Sequence, residues 1–106
     1  MVNEGEVEVT LAGKPAVLRS TLRAAKTVDA KCGGFQSAYS RLAAFNMEAY
    51  AIVVAAGLGK QPHEVEDAVY QTGMTDLIGP LSEFVTLLRN GGRKPGKEAD
   101  DGKGEG

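Results

Sequence analysis

The sequence predicts an α+β fold in which an N-terminal β-hairpin packs on a bundle of four to five short helices. Three patterns carry that expectation. Apolar and polar residues alternate near the N-terminal end, apolar residues recur at helical spacing through the middle, and large apolar residues vanish after Asn90. Alternation is the period of a half-buried strand, whereas recurrence at i, i+3 and i+4 is that of a helix with one face in a core. A domain over residues 1–90 followed by a disordered tail over residues 91–106 is therefore expected.

In residues 6–11, Val7, Val9 and Leu11 share one side of a strand while Glu6, Glu8 and Thr10 share the other. Ala12-Gly13-Lys14-Pro15 supplies turn residues, and residues 16–20 return as the second strand. Thr21 is an N-cap for a helix running through Cys32, with Leu22, Ala25, Val28 and Cys32 on one stripe and Gly33-Gly34 ending it. Phe35, Ala38, Leu42 and Phe45 continue at helical spacing up to Asn46, which offers a fresh N-cap. Whether the helices on either side of Asn46 run on as one is left open. Residues 47–58 are apolar nearly all round, as a central helix with several neighbours must be, and Gly57 and Gly59 close it. Pro62 suits a first helical position, Glu64, Glu66 and Asp67 suit the positive end of the dipole, and Gly73 ends that helix. The last helix is capped by Thr75 or Asp76, takes Pro80 in its first turn, and carries the stripe Leu77, Leu81, Phe84, Val85 and Leu88. The predicted core is Val7, Val9, Leu11, Leu18, Leu42, Phe45, Val54, Val69, Leu81, Phe84 and Leu88.

At 106 residues, 42% of them hydrophobic and 25% charged, the chain suits one globular domain with an aliphatic core. The net charge of -2 argues against a protein whose main ligand is a phosphate backbone, and no nucleic-acid partner is expected. The charge is unevenly placed all the same. Residues 22–60 carry +3, from Arg23, Lys26, Lys31, Arg41 and Lys60 against Asp29 and Glu48. Residues 61–90 carry -4, from Arg89 against Glu64, Glu66, Asp67, Asp76 and Glu83. Such polarity suits distinct faces for partners or head-to-tail self-association. The lone Cys32 leaves no internal disulfide and fits a reducing compartment. The opening Met-Val-Asn-Glu-Gly-Glu is acidic where an export signal is basic, and the longest apolar run is half a membrane span, so no export and no membrane partner are expected.

The chain offers little for catalysis. Gly57-Leu58-Gly59-Lys60 lacks the spacing and the Ser or Thr of a phosphate loop and ends a helix where such a loop begins one. Cys32 and His63, one of each type, supply neither a nucleophile with its base nor a zinc site, and Glu64, Glu66 and Asp67 do not share a helix face. No catalytic residue, metal or cofactor is expected. Two helices joined near Gly73 suggest, as an alternative function, a small helix-turn-helix-like DNA-binding accessory protein. Its reading helix would open with Thr75-Asp76-Leu77-Ile78, where basic or polar base-contacting side chains are needed.

The order of elements carries a resemblance. A hairpin ending Leu18-Arg19-Ser20-Thr21-Leu22 leads to Val28-Asp29-Ala30-Lys31-Cys32-Gly33, then to an apolar helix ending Ala55-Ala56-Gly57-Leu58, a helix ending at Gly73, a final amphipathic helix and a polar tail. Over residues 6–90 this resembles the small tail assembly chaperones of tailed phages, prophages and bacterial gene transfer agents, often called tail tube chaperones. The resemblance implies a non-enzymatic protein of the bacterial cytoplasm that holds the tape-measure protein, recruits tail tube protein, and then leaves. Tyr39, Tyr50, Met74 and Leu87, on the margins of the predicted core stripes, are the candidate partner-binding residues.

Overall fold

A computed structural model describes residues 4–93, and within them two antiparallel strands precede five helices. β1 (Glu6–Leu11) and β2 (Lys14–Arg19) pair through a two-residue loop in which Ala12 and Gly13 both have positive φ, 52° and 82°. That is the backbone a tight hairpin requires, because its twist matches that of the strands. The return strand begins at Lys14, two residues earlier than the sequence pattern places it. Pro15 fits there because it faces Thr10 at a position between hydrogen-bonded pairs, where the ladder asks for no donor. Val7, Val9, Leu11 and Leu18 are buried on one face, while on the other Arg19 pairs with Glu6 at 3.4 Å.

The helices are α1 (Leu22–Cys32), α2 (Phe35–Ala43), α3 (Met47–Leu58), α4 (Pro62–Thr72) and α5 (Met74–Arg89). α3 is the hub: α1, α2, α4, α5 and β2 all pack against it. Ala49 through Ala55 are buried without a break. α5 lies across the bundle with Leu77, Leu81, Phe84, Val85 and Leu88 inside, as its stripe predicts, and reaches β1 at its far side. Thr72 at the end of α4 ties the hairpin down: its hydroxyl donates to the Ala68 carbonyl at 2.7 Å and accepts the Ala12 N–H at 2.8 Å.

Several expectations need correction. Phe45, placed in the core by its spacing, is 49% exposed, because α2 stops at Ala43 and the chain turns before α3 begins. The two helices do not run on as one; Asn46 caps α3, its Oδ1 accepting the Ala49 N–H at 2.9 Å. Leu22 is 76% exposed, and Ala24 takes the inward position expected of it. α5 begins at Met74 rather than after Thr75 or Asp76, which puts Pro80 inside the helix instead of in its first turn. The helix tolerates the ring because Gly79 precedes it, and a residue without a Cβ avoids part of the clash that drives pre-proline residues out of helix. Of the tail expected over residues 91–106, residues 91–93 are described. Asn90 is followed by an ordered turn in which the Gly92 N–H donates to the Leu87 carbonyl at 2.7 Å. The rest of the predicted tail, residues 94–106, lies outside the described residues.

Gly57 was expected to close α3 but sits inside it for a different reason. A Cβ at Gly57 would lie 2.7 Å from the Leu18 Cβ and 3.1 Å from its Cα, so β2 rests on the bare backbone of α3. Replacing Gly by Ala inside a helix ordinarily gains about 0.5–1 kcal/mol. Here Gly57→Ala is expected to destabilise by about 1–3 kcal/mol, since Leu18 cannot retreat without lifting the hairpin. Phe84→Ala, at a fully buried ring, should cost about 3–5 kcal/mol. Urea unfolding checks both; a stabilised Gly57→Ala would show that the hairpin is not seated as described, and a loss under about 0.5 kcal/mol at Phe84 that α5 does not dock through its stripe.

Candidate functional site

The four residues expected to meet a partner do not form one surface. Tyr50 is fully buried and its hydroxyl donates to the Leu42 carbonyl at 2.6 Å, while Leu87 is 1% exposed. Both belong to the core. On a helix apolar all round, spacing cannot say which side chain lies at the margin, and a tyrosine is readily buried once its hydroxyl finds an acceptor. Tyr39 and Met74 are half-buried, on α2 and at the start of α5. Tyr39 is held from both sides: its hydroxyl donates to Thr86 Oγ1 at 2.5 Å, since the Thr86 proton is given to the Ser82 carbonyl, and the Arg89 guanidinium lies 5.6 Å from its ring centre.

The large apolar side chains that do face water are Leu22, Phe45, Met47 and Tyr70. Phe45 is the unusual one. It has φ of 57° at the end of α2, where its N–H donates to the Leu42 carbonyl at 3.0 Å and the Asn46 N–H donates to that of Arg41 at 2.9 Å. Gly33, Gly59 and Gly91 hold the left-handed position just past α1, α3 and α5. Phe45 does the same task with a Cβ, at a cost of roughly 1–2 kcal/mol. Its ring lies near-parallel to that of Tyr50, centroids 6.5 Å apart, and the adjoining Met47 opens α3.

A groove of about 300 Å³ runs between α1, α3 and the start of α4. Arg23, Thr27 and Lys31, spaced at i, i+4 and i+8 on α1, form one wall, Ile52 and Ala56 of α3 line its floor, and Lys60 stands at its end. Over the exposed side of α1, Leu22, Lys26 and Ala30 make a second row that continues this surface. Among the described residues, Arg23, Lys26, Lys31 and Lys60 form no ion pair. A second groove, between β1 and the start of α5, is lined by Glu8, Thr10, Thr72, Asp76 and Pro80. The first groove is thus lined by cations, three of the five counted over residues 22–60, whereas the second holds two carboxylates, of which Asp76 alone belongs to the acidic segment 61–90.

The groups weighed for chemistry lie elsewhere. Cys32 is buried, and burial pushes its thiol above the ordinary value of 9.0, with Arg41 opposing and Glu48 adding. His63 is exposed on α4, and Glu64 is spent on capping, its carboxylate accepting the Gln61 N–H at 3.1 Å. Gly59 terminates α3 rather than opening a phosphate loop. Among the described residues no three His, Cys, Asp or Glu side chains are grouped to hold a metal ion. Among the same residues no helix is long and apolar enough to cross a membrane. Comparison with known protein families, with curated proteins and with solved structures gives no match.

Burial also raises the Tyr50 hydroxyl above its ordinary value of 10.0. Cys32 and Tyr50 therefore keep their protons in the folded chain and lose them more easily when it unfolds, so the native state binds more protons at alkaline pH and stability falls as pH rises. The loss should begin as pH passes 9.0 and steepen past 10.0. Melting temperature measured across that range checks it, and Cys32→Ala should remove the first stage; a wild-type curve flat through both values would contradict the burial of these groups.

Proposed function

We propose that the protein is a non-enzymatic tail assembly chaperone of a phage, prophage or gene transfer agent, acting in the bacterial cytoplasm on the tape-measure protein, the tail tube protein, or both. The observation that carries this is Phe45: an aromatic ring kept half in water on a backbone conformation that a glycine adopts freely. Retained strain beside an exposed apolar side chain suits a binding contact, and Met47 beside it enlarges the apolar area offered. The order of hairpin, helices and polar tail adds the resemblance to tail chaperones. For the alternative, DNA binding through α4 and α5, the opening of α5 is a poor reader: it presents Thr75 and Asp76 to solvent and turns Leu77 inward.

Phe45→Asn separates binding from folding, because asparagine tolerates the left-handed conformation. Its stability should stay within about 1 kcal/mol of the parent. Co-expressed with the tape-measure protein of the same phage, prophage or gene transfer agent, the parent chain should keep that protein soluble and co-elute with it in size exclusion at moderate salt, and the variant should do so less. A tape-measure protein equally soluble with and without this chain would overturn the proposal, as would an unaltered complex with the variant the role of Phe45.

A further inference from the structure

We propose that the groove between α1, α3 and the start of α4 docks an acidic amphipathic helix supplied by another protein. This rests on the partner-binding role above and names the class of segment bound. Three features point to that occupant. Firstly, the rim holds Arg23, Lys31 and Lys60, with Lys26 alongside, and none forms an ion pair among the described residues. Carboxylates on an incoming segment complete these cations, whereas a basic segment meets repulsion along the whole wall.

Secondly, the cations flank apolar surface. Half-buried Ala56 lies along the bottom over the buried Ile52 and Ala55, and Leu22, 76% exposed, sits at the end of the neighbouring row. A nucleic-acid backbone would satisfy the charges and leave this apolar surface wet, while an amphipathic helix covers both. Thirdly, the wall has helical spacing. Arg23 and Lys31 are eight residues apart, about 12 Å along α1. Their row and the Leu22–Lys26–Ala30 row form the parallel ridges into which the side chains of a crossing helix fit. The small side chain of Ala56, half-buried at the bottom of the groove, lets that helix bring its own larger apolar side chains close. Carboxylates spaced at i and i+7 or i+8 on either side of a leucine stripe match the rim.

The test uses the full chain and a synthetic helical peptide of about 20 residues, long enough to hold helix, with a leucine stripe flanked by glutamates at that spacing. A control peptide replaces every glutamate by lysine. Fluorescence anisotropy should show saturable binding of the glutamate peptide, at least about tenfold tighter than the control and weakened but not abolished by salt. Amide resonances of Arg23, Thr27, Lys31, Ala56 and Lys60 should shift on titration. Arg23→Glu with Lys31→Glu, both solvent-facing, should weaken binding about tenfold or more while the melting temperature holds.

Equal binding of the two peptides, shifts confined to other surfaces, or indifference to charge reversal would overturn the proposal. So would groove shifts that appear with protein concentration alone, which would assign the surface to a second copy, or tighter binding of a DNA duplex at the same residues. Phe45 does not line this groove. Peptide binding with failed co-expression would leave the groove standing and remove the tail-protein role; solubilised tape measure without peptide binding would remove the groove alone.

Discussion

Everything in this fold is arranged around α3, and the tightest constraint on α3 is the contact at Gly57. A helix apolar on all sides is stable in water only if every side is covered, and α1, α2, α4 and α5 cover most of this one. The remaining sector, near its C-terminal end, goes to β2, which touches the helix backbone itself through Leu18. A two-stranded hairpin has too little buried surface to persist alone, so the strands depend on that seat as much as α3 depends on being covered. Thr72 extends the dependence to α4 by holding the hairpin turn, and Val7 and Val9 extend it to α5 by contributing to the same core.

Where the chain turns is governed by backbone conformation at helix ends. α1, α3 and α5 release their last carbonyls to amides of residues just beyond them, with glycine in the left-handed position. α2 closes in the same manner around Phe45, which explains why α2 and α3 are two helices and why Tyr50, pointing back under the turn, reaches the Leu42 carbonyl. The ring of Phe45 then lies over Tyr50 and in solvent together. One residue thus sets an angle between helices and exposes an apolar group.

Most of the scaffold was legible in the sequence because each element is specified locally. The alternation in Val7, Val9 and Leu11, the N-caps Thr21 and Asn46, the Pro62 start and the α5 stripe all act within a few residues of themselves, and all are found in place. What could not be read depends on contacts distant in sequence. Gly57 looked like a helix end because the demand on it comes from Leu18; Phe45 fits a helical stripe until the turn after Ala43 rotates it outward. The candidate partner-binding residues fared worse for the same reason. Tyr50 and Leu87 are buried by neighbours that spacing does not reveal, while Leu22 and Phe45 were assigned to the interior on pattern alone. The basic groove was visible only as a net charge over residues 22–60, since its wall on α1 and its floor on α3 meet only in the folded chain.

The buried set is continuous from the hairpin through all five helices without Leu22, Phe45, Met47 or Tyr70. Folding therefore does not require these side chains to be apolar, and water disfavours them where they are. Scattered exposed apolar residues are ordinary, but two features here go further. Phe45 is kept at a backbone cost, and Leu22 stands beside a row of cations that have no partner among the described residues. Unpaired cations at a surface lose little in water, yet they gain when a partner brings carboxylates and removes solvent from both. A core complete in itself, beside surface cations and apolar groups without partners among the described residues, is what the proposed binding role asks for, with α1 and α3 setting the spacing of that surface.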